Sequence, residues 1–247
     1  MTKNIFITGG TSDIGEALVY KFAKNKCNIF FTYKSNLKRA RIISKKLKKL
    51  NIVHEYTKMD LNSLDTIIKA FKLFSSSFKN LDYLINNASV NHKRKKFVNV
   101  SISEIKKGIN GFLVGNIFVI KNAIKLIIKK RSKKEKGIIN ISSYASITGG
   151  RNIHLYAASK SAINILLNAL SLDYKKNYIR IHSVLPRHID TETFRKNNNI
   201  RNEKDLNNFV NKKGISKIKK PEEFANFIYK IIEKKNTYDD KNLIYYD

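Results

Sequence analysis

Short runs of β-branched and aromatic residues alternate along the chain with longer segments whose apolar positions recur every three or four residues. The runs predict seven strands, at residues 4–8 (NIFIT), 28–33 (NIFFTY), 52–59 (IVHEYTKM), 81–87 (LDYLINN), 137–142 (GIINIS), 179–185 (IRIHSVL) and 242–246 (NLIYY). Between them Ile14, Ala17, Leu18 and Phe22 share a helical face, as do Ile42, Leu47 and Leu50, and then Leu64, Ile67, Ile68 and Phe71. Residues 102–130, 153–175 and 222–234 carry the same period, the last opening with Pro221, Glu222 and Glu223, a favourable helix start. Strand and helix in alternation predict an α/β fold, a doubly wound, Rossmann-like parallel sheet of about seven strands with helices on both faces. Residues 192–220 break the pattern. Polar, rich in Asn and Lys and without a clean period, they suit either a mobile lid over a site or a solvated insertion.

Length and composition narrow this picture. A chain of 247 residues, with Pro186 and Pro221 its only prolines and no linker-like stretch, reads as one domain spanning 1–247. Residues 1–10 already form a strand entering a turn, and no unbroken run of about 18 apolar residues stands out. The expectation is a soluble, cytoplasmic protein without a membrane partner. Cys27 is the single cysteine and has no metal-ligand neighbour in sequence, so it reads as a small core residue. The formal charge of +30 invites a nucleic-acid reading, yet 40 of the 49 basic residues are Lys and they are spread along the whole chain. That spread argues for a general Lys, Asn and Ile bias rather than a stripe for specific nucleic acid. Polyanions would still be drawn without preference at low salt, and an acidic partner or substrate would gain from the same field. The densest cluster, KKRSKKEK at 129–136, reads as the solvated end of a helix.

The chemistry gathers at the predicted strand ends. TGGTSDIG, residues 8–15, follows the first strand, where a glycine turn presents backbone N–H groups at a helix N-terminus to a pyrophosphate. Gly9 permits the tight exit and Gly15 a close approach of helix to sheet. The second strand ends FFTYKSN, with Lys34 and Ser35 where an acidic residue would grip a ribose 2′-hydroxyl. That favours a 2′-phosphate, hence NADP(H) over NAD(H), unless Lys34 is one more Lys of a Lys-rich chain. Asp60 closes the third strand and suits either an adenine amino group or a cap on the following helix. Asn86 to Ser89 (NNAS) close the fourth with short amides and small residues that can pack near the cofactor ribose. In LYAASKSA, Tyr156 and Lys160 stand four residues apart on one helical face. A phenol has a free pKa of about 10, and an adjacent ammonium would lower it, making the pair a proton donor or acceptor for an alkoxide or alcohol. Ser143 ends the fifth strand, placed to hold the substrate oxygen.

Taken together these motifs resemble the short-chain dehydrogenase/reductase family in its compact single-domain type. Its glycine motif is similar to residues 8–15, its NNAG to Asn86–Ser89, its Ser, Tyr and Lys to Ser143, Tyr156 and Lys160, and its PGxxxT to PRHIDT at 186–191. The last helix and strand are similar as well. The resemblance implies hydride transfer between a nicotinamide and a carbonyl or alcohol, on a small or carrier-bound substrate such as a 3-oxoacyl group, a sugar or a small ketone. It gives Tyr156 as proton donor, Ser143 as the group orienting the oxygen, and Lys160 as serving both ribose and tyrosine. Cofactor contacts would come from Gly9, Thr11, Ser12 and Ile14 in the glycine turn, from Lys34, Ser35 and Asp60 around the adenosine, and from Asn87 and Ala88. Pro186, Ile189 and Thr191 would complete them, the last two at the carboxamide. No metal is implied, and assembly as a homodimer or homotetramer is.

Four positions depart from the family pattern: Asp13 at its second glycine, Ser89 at the glycine of NNAG, Arg187 after Pro186, and Phe112 where its helical asparagine would stand if Gly115 is the matching glycine. Asn110 lies two residues earlier and would face away. Such changes keep open a relative that only binds nucleotide, although Ser143, Tyr156 and Lys160 argue for activity through a water-borne relay. Arg187 would suit a carboxylate or phosphate on the substrate, or simply solvent. Asp13 reads as a helix-start residue that accepts from free N–H groups and points away from the phosphates.

Overall fold

The computed structural model describes residues 2–90, 94–129, 135–233 and 242–247. Seven strands form one sheet, β1 (Asn4–Ile7), β2 (Asn28–Tyr33), β3 (His54–Lys58), β4 (Tyr83–Asn86), β5 (Lys136–Ile141), β6 (Ile179–Pro186) and β7 (Leu243–Tyr246). All pairs are parallel, in the order β3-β2-β1-β4-β5-β6-β7. Each predicted run is a strand, with ends shifted by no more than about two residues. The order reverses between β1 and β4, which opens a crevice at their carboxyl ends.

A parallel sheet is covered on both faces, so neighbouring residues of one strand feed two cores. Ile5 and Ile7 of β1 pack with α1 (Asp13–Lys24), α2 (Leu37–Leu47) and α10 (Pro221–Glu233). Phe6 points the other way, into a cluster with α3 (Leu64–Ser77), α5 (Gly115–Lys129) and α7 (His154–Tyr174). There Phe6, Phe30, Phe71 and Phe74 meet ring to ring. Cys27 is buried with its thiol pushed up to about 11 by that burial, as a core residue requires.

Several helices begin at a residue whose side chain satisfies one of the first N–H groups. Ser12 caps α1 through Gly15 N–H, and Ser101 with Glu104 forms a capping box on α4 (Ile102–Ile109). From α4 the chain runs through a π-helical turn, Asn110–Val114, directly into α5. This continuous helix, 102–129, is long and apolar enough to cross a membrane by length and composition. Its apolar stripe, Val119, Ile120, Ala123, Ile124 and Ile127, is buried in the core, which makes it a core helix of this fold. The basic cluster at 129–136 falls largely outside the described residues, as do residues 130 and 234 at the ends of two predicted helices.

Residues 192–220 are more ordered than their pattern predicts. They hold α8 (Glu192–Asn197) and α9 (Glu203–Lys213), capped by Thr191 and Asn202. Neither helix has a fully buried residue, so neither carries the apolar stripe by which periodicity is recognised. Arg195 ties them, bonding both oxygens of Asp190 at 2.6 and 2.7 Å and Glu203 at 2.7 Å. The rings of His188, Phe194 and Phe209 pack together beneath. A short helix, α6 (Ala145–Thr148), follows β5.

Candidate active site

The glycine turn leaves β1 at Gly9, whose φ of +67° is a left-handed conformation that favours glycine. A Cβ on Gly15 would stand 2.1 Å from the Gly9 carbonyl oxygen, so only glycine lets α1 start this close to the turn. The turn is braced from β4. Thr8 Oγ1 accepts from Asn87 N–H and Ala88 N–H at 2.9 Å each, and the Asn87 amide donates to Thr8 O at 2.9 Å and Gly9 O at 3.1 Å. Asn87 therefore acts first on the turn itself. Ser12 Oγ takes Gly15 N–H and Ser12 O takes Glu16 N–H, while among the described residues the N–H groups of Asp13 and Ile14 have no acceptor. Free N–H groups at a helix start, over a turn that a Cβ would fill, fit a dinucleotide pyrophosphate.

At the adenosine end, Lys34 and Asp60 face each other. Lys34 Nζ lies 3.0 Å from Asp60 Oδ2, and Asp60 Oδ1 accepts Asn62 N–H at 3.0 Å. Partial burial works against the Asp60 carboxylate, but the Asn62 N–H and the Lys34 ammonium hold its pKa below the usual value. Of the two readings of Asp60, the helix cap is not the one formed: Ser63 stands at the N-cap of α3, and the Asp60 side chain closes a local turn. Ser35 is exposed at the tip of the β2–α2 connection, and Asn36 beside it caps α2.

Ser143, Tyr156 and Lys160 converge although they come from the loop after β5 and from α7. Burial raises the Tyr156 phenol, opposed by its hydrogen bond with Ser143. The net shift is upward, which corrects the expected net lowering: burial outweighs whatever the Lys160 charge contributes. The ammonium lies over the tyrosine ring, 5.8 Å from its centroid, and donates to Ile141 O at 2.6 Å. Burial brings the Lys160 pKa down to about 8.

Behind the tyrosine stands Phe112, 4% exposed, its ring 5.7 Å from that of Tyr156 and edge-on. The π-helical turn puts it there, and Asn110 is exposed on the outer side, lining a cleft of about 490 Å³ with Asn62, Lys106 and Lys107. A buried asparagine ladder escaped the sequence reading. Asn86 donates to Asn116 Oδ1 at 2.9 Å and Asn140 Oδ1 at 3.0 Å, and Asn140 donates to Ser183 Oγ at 3.2 Å. Asn116 in turn donates to the carbonyl of Phe112, within the π-helical turn, at 2.8 Å. Its only signal in the sequence is an amide inside an apolar helical run.

After β6, Pro186 O accepts Tyr144 N–H at 3.0 Å, which joins this loop to the Ser143 loop. Arg187 is exposed, its guanidinium 5.3 Å from the Tyr144 ring centroid. His188 is held below the usual imidazole value by burial and by the charges of Arg187 and Lys213. Ile189 is buried and its backbone bridges Lys219, while Thr191 Oγ1 accepts Phe194 N–H at 3.1 Å. Asp13 corrects a further expectation, because Ser12 caps α1 and the Asp13 carboxylate turns elsewhere. It meets Arg39 Nη2 at 3.0 Å and accepts Glu192 N–H at 2.7 Å.

Residues 3–202 match the family model described as short chain dehydrogenase. The 3-oxoacyl-[acyl-carrier-protein] reductase FabG of Aquifex aeolicus is 26% identical over 187 residues, covering 75% of this chain and 73% of its own. Two solved structures align over 99% of this chain and 96% of theirs at 19% identity. One is a short chain dehydrogenase from Burkholderia cenocepacia in complex with NADP, with a TM-score of 0.85. The other is a 3-ketoacyl-(acyl-carrier-protein) reductase from Brucella melitensis complexed with NADH, with a TM-score of 0.84. With the model match running from β1 into the α8–α9 connection, this chain belongs to the short-chain dehydrogenase/reductase family of oxidoreductases.

Proposed function

We propose that the protein is an NADP(H)-preferring reductase in which Tyr156 is the general acid and base, acting on a 3-oxoacyl group borne by an acidic carrier protein. The observation that carries this reading is the convergence of Ser143, Tyr156 and Lys160 at the carboxyl end of β5. The nicotinamide, when bound, supplies or accepts the hydride. In reduction, Ser143 donates a hydrogen bond to the substrate carbonyl oxygen, and the Tyr156 O–H delivers the proton as charge builds there. A phenol kept protonated by burial is loaded for this step at neutral pH. The Lys160 ammonium behind the ring then favours the phenolate left after transfer. Phe112 closes the flank of Tyr156, so the tyrosine recovers its proton through water at the mouth of the site.

Glycine turn, Lys34 and Asp60 hold the cofactor, Lys34 reaching a 2′-phosphate in place of Asp60. The basic surface and the exposed guanidinium of Arg187 favour an acidic carrier, as does the activity named for the Aquifex relative. The α8–α9 segment serves as the lid, and the exposed Ile165 and Leu172 of α7 support assembly with further copies of the chain. The test is oxidation of NADPH and NADH across carrier-bound oxoacyl, sugar and small-ketone substrates, with Tyr156→Phe in parallel. We expect oxoacyl reduction with NADPH, lowered about 10²-fold or more by the substitution. Equal rates for Tyr156→Phe on every substrate turned over would refute the mechanism, and tighter binding of NADH would refute the role of Lys34.

A further inference from the structure

A carboxylate at the first residue of α1, in a turn suited to an anion, needs a structural counterpart. Asp13 has two. Its Oδ1 pairs with Arg39 of α2, which also bonds Glu16, and its Oδ2 accepts the backbone N–H of Glu192, 179 positions away at the first residue of α8. One side chain thus joins the glycine turn, the adenosine side and the α8–α9 segment. We propose that Asp13 is a positioning residue that latches α8–α9 onto the glycine turn and thereby fixes Thr191 over the cofactor cleft. Glycine at this position could make neither contact. The Arg39 partner also offsets the carboxylate's charge, which makes an acid tolerable beside a pyrophosphate. Thr191, immediately before Glu192, caps α8 through Phe194 N–H, so the latch holds the cap as well as the helix. The chain beyond follows as a unit, because Arg195 ties α8 both to Asp190 and to Glu203 at the start of α9.

The role toward cofactor rests on the function proposed above, whereas the latch itself is a property of the protein alone. The contact can be cut at one atom. Proline is tolerated at the first position of a helix, where its missing N–H had no intrahelical partner, and it favours an extended residue before it. Thr191 already has φ −121° and ψ 159°. Glu192→Pro therefore removes the donor and keeps α8, while Glu192→Ala removes the side chain and keeps the donor.

The experiment is amide hydrogen exchange over residues 193–213 of the full-length protein without ligand, for the parent, Asp13→Ala, Glu192→Pro, Glu192→Ala and the double variant Asp13→Ala/Glu192→Pro. Loss of a hydrogen bond to a charged group should speed exchange about tenfold in Asp13→Ala and Glu192→Pro, leave Glu192→Ala at the parent rate, and give no further rise in the double variant. Direct titration with NADPH should show weaker binding for Glu192→Pro and parent-like binding for Glu192→Ala. Parent-like exchange in Glu192→Pro overturns the latch, and so does a double variant whose rise is the product of the single ones. Faster exchange with unchanged NADPH affinity would keep the latch and overturn its role toward the cofactor.

Discussion

Lys160 sits where its charge is costly, buried on α7 with one backbone acceptor, Ile141 O, and the face of the Tyr156 ring. Burial lowers its pKa to about 8, so the ammonium that favours a tyrosine phenolate is lost as pH rises through that value. For reduction, kcat/KM should fall above about pH 8, and a profile level to pH 10 would contradict the role given to Lys160. The sign for folding runs the opposite way. A lysine whose folded pKa is depressed holds fewer protons than the unfolded chain from about 8 to 10.5, so its contribution to stability rises with pH across that window. That Ser143, Tyr156 and Lys160 come together was legible from spacing and strand ends. Their electrostatics were not, because whether an ammonium faces a hydroxyl or a ring depends on packing that spacing does not encode. Asp13 was misread for a similar reason. Its partners Arg39 and Glu192 lie on other elements, and nothing local marks them.

The π-helical turn at Asn110–Val114 turns one helix into two with different tasks, α4 bearing the outer cleft and α5 the core. It also seats Phe112 against Tyr156, and the Asn116 amide bonds the Phe112 carbonyl within it. Asn116→Ala should cost about 2–3 kcal/mol in urea unfolding, since it removes two buried side-chain hydrogen bonds and leaves one N–H of the Asn86 amide without its acceptor in the interior. Asn122→Ala is the contrast: its side chain bonds Phe118 O within ordinary helix and is partly exposed, so about 1 kcal/mol or less is expected. Equal losses would deny Asn116 its special place. Strands and core helices were readable because apolar period survives wherever an element is buried on one or both faces. The π-helical turn was not, since it inserts a register shift into a pattern that still looks helical. Nor were α8 and α9, whose polar faces leave too little apolar stripe.

At the scale of the molecule, a net charge of +30 on 247 residues must act on partners and on the fold together. If the substrate rides on an acidic carrier, its KM should rise steeply between about 0.05 and 0.3 M salt, where the screening length shrinks toward contact distances, while KM for a small neutral ketone stays level. Parallel salt dependence for both would remove the carrier from the account. The general Lys bias was visible in composition, but whether it serves a partner is a question of surface, which composition does not resolve. Order along the sheet has a separate consequence for how the protein is made. The bonds that complete the glycine turn come from Asn87 and Ala88, 78 to 80 positions downstream of Thr8 and Gly9. A parallel strand cannot pair with its sequence neighbour through a tight turn, so loop closure must precede reward at every step. During synthesis the glycine turn should therefore wait, unbraced, until β4 has left the ribosome and docked beside β1.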